Sequence, residues 1–176
     1  IQPDGSVLLE TGVHENGQGA QSAMILIAAK ELGIPKELIR YRLPSTSNIP
    51  DGGSTVASRG TIMGGGAVVN AAKIIKQRLC EGVEKALGIN GCSYKNGNIY
   101  SAQGEKVADF FAAVRWCYDH QIYPFAFGVF KAPQISWDEE TGHGNAYFSW
   151  VYSCQAAELK VNCKTGKITL LNLVAA

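Results

Sequence analysis

The apolar positions along the chain change period several times, and each change marks an element. Ser6–Thr11 is a short β-rich run. It leads through the polar stretch His14, Glu15, Asn16, Gly17, Gln18 and Gly19 into Ala20–Leu32, which is apolar enough for a buried helix. Gly33 stands where a C-terminal glycine cap belongs, and Pro35 follows at the distance that stops a helix. Leu38–Leu43 alternates Ile39, Tyr41 and Leu43 with Arg40 and Arg42, the period of a strand with one wet face. Pro44–Gly53 has loop chemistry. From Ala67 onward, Val68, Ala71, Ala72, Ile75 and Leu79 recur at helical spacing. Gly64, Gly65 and Gly66 precede that helix, and each costs roughly 1 kcal/mol relative to alanine in a helical position. They point either to a helix or ligand lying close against the backbone or to simple flexibility.

The second half reads as Cys92–Tyr94, a tight turn over Lys95–Asn98 built on Asn96-Gly97, and Ile99–Ala102, which together make a hairpin. An amphipathic helix follows over Val107–His120. Ile122–Phe130 alternates Tyr123, Phe125, Phe127 and Phe130, and Lys131–Asn145 is a loop. The last pattern is a hairpin, Ala146–Val161 and Lys167–Val174, turning at Asn162–Gly166. The fold class this implies is α+β: a two-layer α/β sandwich of mixed sheets with strand-helix-strand units. Residues 1–87 form the first such unit plus a long helix, and residues 88–176 a second α+β portion. The chain opens at Ile1 inside a strand-like run and stops directly after Ile168–Val174, so it is expected to be truncated at both ends.

Composition narrows the function classes. With 176 residues the chain is long enough for a real core. Its 16 basic and 15 acidic residues leave no strong field for nucleic acid or an anionic membrane. The longest apolar runs fall well short of the roughly 20 residues that span a bilayer, and no signal-peptide pattern opens the chain. The five cysteines, Cys80, Cys92, Cys117, Cys154 and Cys163, include no CxxC pair and make a poor disulfide framework or zinc site. Buried free thiols and a cytoplasmic location are the expectation.

Two glycine-containing loops stand out as chemistry. The first, Gly17-Gln18-Gly19, sits at a strand-to-helix junction, where unpaired N–H groups and the helix dipole favour an anion or an oxo group. Glutamine suits that place because its amide both donates and accepts without adding charge. The second, Ser54–Gly60, offers hydroxyls, small side chains and free N–H groups before the next helix. Neither loop has the lysine that a P-loop needs. Glu15 reads first as a brace that accepts loop N–H groups and only second as a general base. His120 reads as a partner of helix-terminal carbonyls, and no histidine pairs with an identifiable nucleophile. Asp138, Glu139 and Glu140, beside His143, read as a solvated acidic face that lacks the EF-hand pattern.

These motifs, in order, resemble a known family. Glu15-Asn16-Gly17-Gln18-Gly19 with Leu32-Gly33-Ile34-Pro35 looks like the cofactor domain of molybdenum hydroxylases, the large subunits of the xanthine dehydrogenase and aldehyde oxidoreductase family. Thr46, Pro50-Asp51-Gly52, Thr55 and Ala57-Ser58-Arg59 continue the match, as do Gly144-Asn145, Tyr152–Val161, Cys163 and Thr165-Gly166. Residues 81–121 match only loosely. The resemblance implies a molybdopterin cofactor, in its cytosine dinucleotide form, whose metal takes no protein ligand. It places Gln18 by the oxo group between Gly17 and Gly19, Ser58, Arg59 and Gly60 at the pterin and its phosphates, and Val56 and Ala57 near the substrate. It implies hydroxylation of an N-heterocycle, purine-like, or of an aldehyde, with oxygen from water. The glutamate base belongs to sequence beyond the part matching Ala176, so no catalytic residue is expected in this chain. The implied partners are the remainder of the large subunit and iron–sulfur (2Fe-2S) and FAD domains or subunits, with no nucleic acid and no membrane. The alternative is a non-catalytic module that binds a phosphate-bearing ligand through the two glycine-rich loops.

Overall fold

Val7–Glu10 forms β1, and after the polar loop Ala20–Leu32 forms α1. A computed structural model describes all residues, 1–176, and the fold is α+β. Helix α1 ends as its sequence requires. Gly33 turns left-handed at φ 61° and its N–H donates to Ala29 O. Gly33 is fixed for a second reason too, because a Cβ there would lie 2.5 Å from Asn96 Cα. A single helical turn over Lys36–Leu38 then feeds β2 (Ile39–Arg42). Strand β2 lies parallel to β1 with Val7 opposite Ile39 and Glu10 opposite Arg42. Buried Ile39 and exposed Arg40 and Arg42 give the one-sided strand that the alternation implies.

The chain folds as two units, Ile1–Lys131 and Ala132–Ala176. In the first, a wide π turn at Gly60–Gly64 precedes α2 (Gly65–Leu87), so the helix starts two residues before the expected Ala67. The three glycines there are positions of close packing. A Cβ on Gly64 would strike Val13, one on Gly65 would lie 2.8 Å from Ile27 Cδ1, and one on Gly66 would lie 2.5 Å from the Phe130 ring. Side chains of the β1–α1 loop, of α1 and of the segment after residue 122 thus all rest on bare backbone.

Asn96 (φ 48°) and Gly97 (φ 74°) make the tight turn between β3 (Ser93–Lys95) and β4 (Asn98–Tyr100). The expected helix start at Val107 is corrected. Lys106–Asp109 is a third antiparallel strand, β5, and α3 runs over Phe110–Asp119. The reason is Asp109, whose carboxylate accepts the Ala112 N–H at 2.8 Å and caps the helix there. Helices α2 and α3 cross at Gly82, and Met24, Leu79, Val83, Ile99, Val114 and Cys117 are the fully buried centre. Burial pushes the Cys80 and Cys117 thiols up to about 11, which keeps them inert at neutral pH. The expectation of buried thiols fails for Cys154 and Cys163, which are exposed.

The aromatic run after Ile122 joins no sheet and is held to α2 through two of its carbonyls. Asn70 donates to Val129 O at 2.9 Å, and Arg78 donates to Tyr123 O at 2.8 Å while covering the Phe125 ring. In the second unit β6 (Gln155–Val161) and β7 (Ile168–Ala175) form an antiparallel hairpin, shorter at its start than the expected Ala146. Leu159, Leu170, Leu171 and Leu173 on this hairpin are at least half exposed.

Gly82→Ala tests the helix crossing. Helix propensity favours alanine by about 1 kcal/mol, but its Cβ would lie 2.5 Å from Cys117 Sγ and 3.1 Å from Cys117 Cα. Overpacking of this kind costs about 1–3 kcal/mol, so chemical denaturation should show net destabilisation. A stabilised variant would mean that the crossing is looser than described.

Candidate loop site at the first strand-helix junction

Each loop is anchored through its own start, and the anchors meet. Gly12 and Gly52 touch backbone to backbone, and a Cβ on Gly12 would lie 3.1 Å from Gly52 Cα and N. One residue on, buried Val13 points into the π turn, against Gly60 and Gly64. Thr55 Oγ1 accepts the His14 N–H at 3.0 Å. Thr11 Oγ1 and the Tyr41 hydroxyl, 2.8 Å apart, tie the same joint to β2. No local sequence signal marks these partners, since His14 and Thr55 lie 41 positions apart.

The expectation of bare N–H groups in the first loop is corrected. Glu15 Oε1 accepts the Gly17 and Gly19 N–H groups at 2.8 and 2.9 Å, and Oε2 accepts that of Gln21 at 3.0 Å. The helix therefore carries its own anion, at the end where the dipole favours one. The bonds from Gln21, Gly19 and Gly17 hold this carboxyl below its ordinary value of 4.5. Glu15 is thus a brace, as the first reading of it implies. Gln18 folds back on the same loop, with Nε2 donating to His14 O at 2.8 Å and Oε1 accepting from Asn16 N at 2.5 Å. Gly17 (φ 97°) and Gly19 (φ 78°) have left-handed backbones facing open space.

The second loop differs. The N–H groups of Ser54, Thr55, Val56, Ala57 and Ser58 donate to no acceptor within the chain. Asp51 and Val56 O satisfy only the flanking Gly53 and Arg59 N–H groups. Val56, Ala57 and Ser58 are exposed, and no acidic side chain folds over them as Glu15 folds over the first loop. Such a run of backbone donors beside a helix start fits an anionic, phosphate-bearing group. A cavity of about 530 Å³ lies behind the joint, lined by Leu9, Thr55, Arg59, Met63 and Phe127 among others. Gly17, Gln18, Gly19, Val56, Ala57 and Ser58 are not on its wall, so the structure sets these residues on the outer surface of the loops, with Arg59 and Gly60 between surface and cavity.

The histidines are spread apart. His14 is exposed in the first loop, and the His120 N–H closes α3 on Trp116 O at 3.0 Å. His143 Nδ1 lies 2.7 Å from Thr141 O inside its own loop. Asp138 accepts the Glu140 and Thr141 N–H groups, so part of the acidic run is a turn brace.

The α+β fold with two loops joined at a strand-helix junction is matched by one family of domains. The chain belongs to the molybdopterin cofactor-binding domain family, whose model matches residues 1–176. It is 31% identical to aldehyde oxidase 4 of Mus musculus over 168 residues, 96% of this chain and 11% of that protein. It is 30% identical to the xanthine dehydrogenase/oxidase of Gallus gallus over 166 residues, 94% of this chain and 11% of that protein. The chain thus spans about a ninth of the curated relatives it matches. Among solved structures, CO dehydrogenase from Oligotropha carboxidovorans shares the fold at TM-score 0.71 and 22% identity, covering 99% of this chain and 21% of that one. The aldehyde oxidoreductase from Desulfovibrio desulfuricans does so at 0.66 and 23%, covering 99% and 17%.

Glu15→Gln should loosen the start of α1, read as faster amide exchange over residues 17–23 at neutral pH. Because the folded carboxyl lies below 4.5, its contribution is full above that value and fades as pH falls through the lower folded value. The difference between variant and parent should therefore vanish in acid. A difference that persists at low pH would mean that the carboxylate is not the brace.

Proposed function

We propose that this chain forms one side of the molybdopterin site of a molybdenum hydroxylase, whose catalytic base comes from sequence outside it. The observation that carries this reading is the run of unengaged N–H groups from Ser54 to Ser58, tied to the glycine loop through Thr55 and His14, in a chain of this family. The donor set fits the group, being neutral backbone donors suited to pterin and phosphate oxygens, with small residues at the surface. When bound, the cofactor supplies oxygen-atom and electron transfer. The chain's own residues bind and orient it. Ser58, Arg59 and Gly60 belong to the loop at the pterin and phosphates, and Gly17 and Gly19 keep the other loop low. Gln18, whose Nε2 donates to His14 O, would offer its neutral amide to the cofactor in place of that bond. Val56 and Ala57 lie toward the substrate.

The relatives' names, aldehyde oxidase and xanthine dehydrogenase/oxidase, support an oxidoreductase acting on an aldehyde or a purine-like N-heterocycle as the full-length protein. We assign the cytosine dinucleotide form of the cofactor, iron–sulfur and FAD groups on other domains or subunits, and a cytoplasmic location on the same reading. No helix is long and apolar enough to cross a membrane. Exposed Val151, Tyr152, Leu171 and Leu173 suit packing against the remainder of the large subunit.

The experiment is made on the full-length protein. Ser58→Asp puts a negative charge among the proposed phosphate donors, and aspartate tolerates the left-handed backbone there. Retained molybdenum should fall by about tenfold or more, equivalent to about 1.4 kcal/mol, while Ser58→Asn retains it. Gln18→Ala should lower turnover more than it lowers folded yield. A parent protein that binds inorganic phosphate through this loop but holds no molybdenum would establish the non-catalytic alternative.

A further inference from the structure

The loop from Gly52 to Gly60 is closed by one side chain. Arg59 Nη1 donates to Ser54 O at 2.6 Å and to Gly52 O at 3.2 Å, and the Arg59 N–H donates to Val56 O at 3.1 Å. Between these anchor points Ala57 (φ 51°) and Ser58 (φ 57°) are both left-handed. Consecutive left-handed residues that carry a Cβ are disfavoured at each position. No glycine relieves the turn, so its surroundings must hold it. The guanidinium is placed to do that, because it fastens the start of the loop to its end across the strained pair. Gly53 is shaped around it, left-handed at φ 74°, where a Cβ would lie 3.0 Å from Nη1. Arginine suits the task because Nη1 alone carries two N–H donors, one for each carbonyl, while its charge stays fixed. Both bonds point the guanidinium back into the loop and leave the donors of residues 54–58 as the outward-facing set.

We propose that Arg59 is a positioning residue: hooked onto the carbonyls of Gly52 and Ser54, it holds the left-handed Ala57–Ser58 turn formed, so that an anionic cofactor group meets the backbone N–H groups of the loop and not the guanidinium. This rests on the reading of the loop as part of the cofactor site. It assigns the positive side chain to the architecture of the loop and the binding contact to the backbone.

Four forms of the full-length protein test it: the parent, Arg59→Gln, the pair Ala57→Gly with Ser58→Gly, and the triple variant. Molybdenum per polypeptide and exchange of the residue 59 amide, which donates to Val56 O, are read on each. Arg59→Gln should speed exchange of that amide and lower retained molybdenum by about tenfold, the size expected when one left-handed non-glycine residue loses its support. The triple variant should regain most of the molybdenum, because glycine enters the turn without help. Unchanged exchange in Arg59→Gln overturns the proposal, and so does a loss of molybdenum that the glycine pair fails to restore, which would mark a direct charge contact. If Arg59→Gln does not accumulate as folded protein, the triple variant decides alone, through the molybdenum it holds relative to the glycine pair. A parent without molybdenum sinks the cofactor reading, and exchange of the residue 59 amide, which is bonded within the chain itself, then still tests the hook.

Discussion

The joint between Gly12–Val13 and the segment from Gly52 to Gly64 is the constraint on which the rest of the first unit depends. Two glycines let two backbones touch, and one valine side chain fills the hollow left by two more. Dispersion and burial at such a point are short-ranged, so a small gain in volume is felt at once. Every element that shapes the two loops leaves from this joint: β1 ends at it, α1 begins just beyond it, and α2 grows out of the π turn that Val13 plugs. A π turn in this place is consistent with the tendency of such turns to gather at functional sites.

The two loops differ in how their backbone donors are used. Glu15 reaches forward to Gly17, Gly19 and Gln21 and answers the first loop from within. Across the joint, Asp51 reaches only to Gly53, and the donors that follow it have no internal answer. Unsatisfied backbone donors are tolerated where water or a ligand can reach them. The exposed N–H groups of this loop thus stay open to water or a ligand.

What could be read from the sequence was what short-range chemistry controls. The glycine cap and proline after α1, the Asn96-Gly97 turn and the one-sided β2 all follow from residues a few positions apart. Strand β5 escaped because Lys106–Asp109 has a helix-compatible apolar pattern, and only the cap at Asp109 separates it from α3. The glycines at 64–66 left two readings open, and contacts from Val13, Ile27 and Phe130, distant in sequence, decided between them. In the site, the polar loops and their residues were visible. The occupancy of the first loop depends on a carboxylate that reaches forward over the next six residues, and the hook of Arg59 on carbonyls that carry no side-chain signature. The family could be recognised from the order of weak motifs, because motifs that each occur by chance seldom occur by chance in sequence.

The carboxylate at Glu15 also has a bearing on assembly. A loop that carries its own counter-charge can close as the chain folds, with nothing else present. The loop across the joint has a mechanical clasp but no counter-charge, so its shape can be ready while its polarity stays unanswered. The nascent protein would then be a finished half beside an open half, and a late-arriving anion would find only one of them vacant.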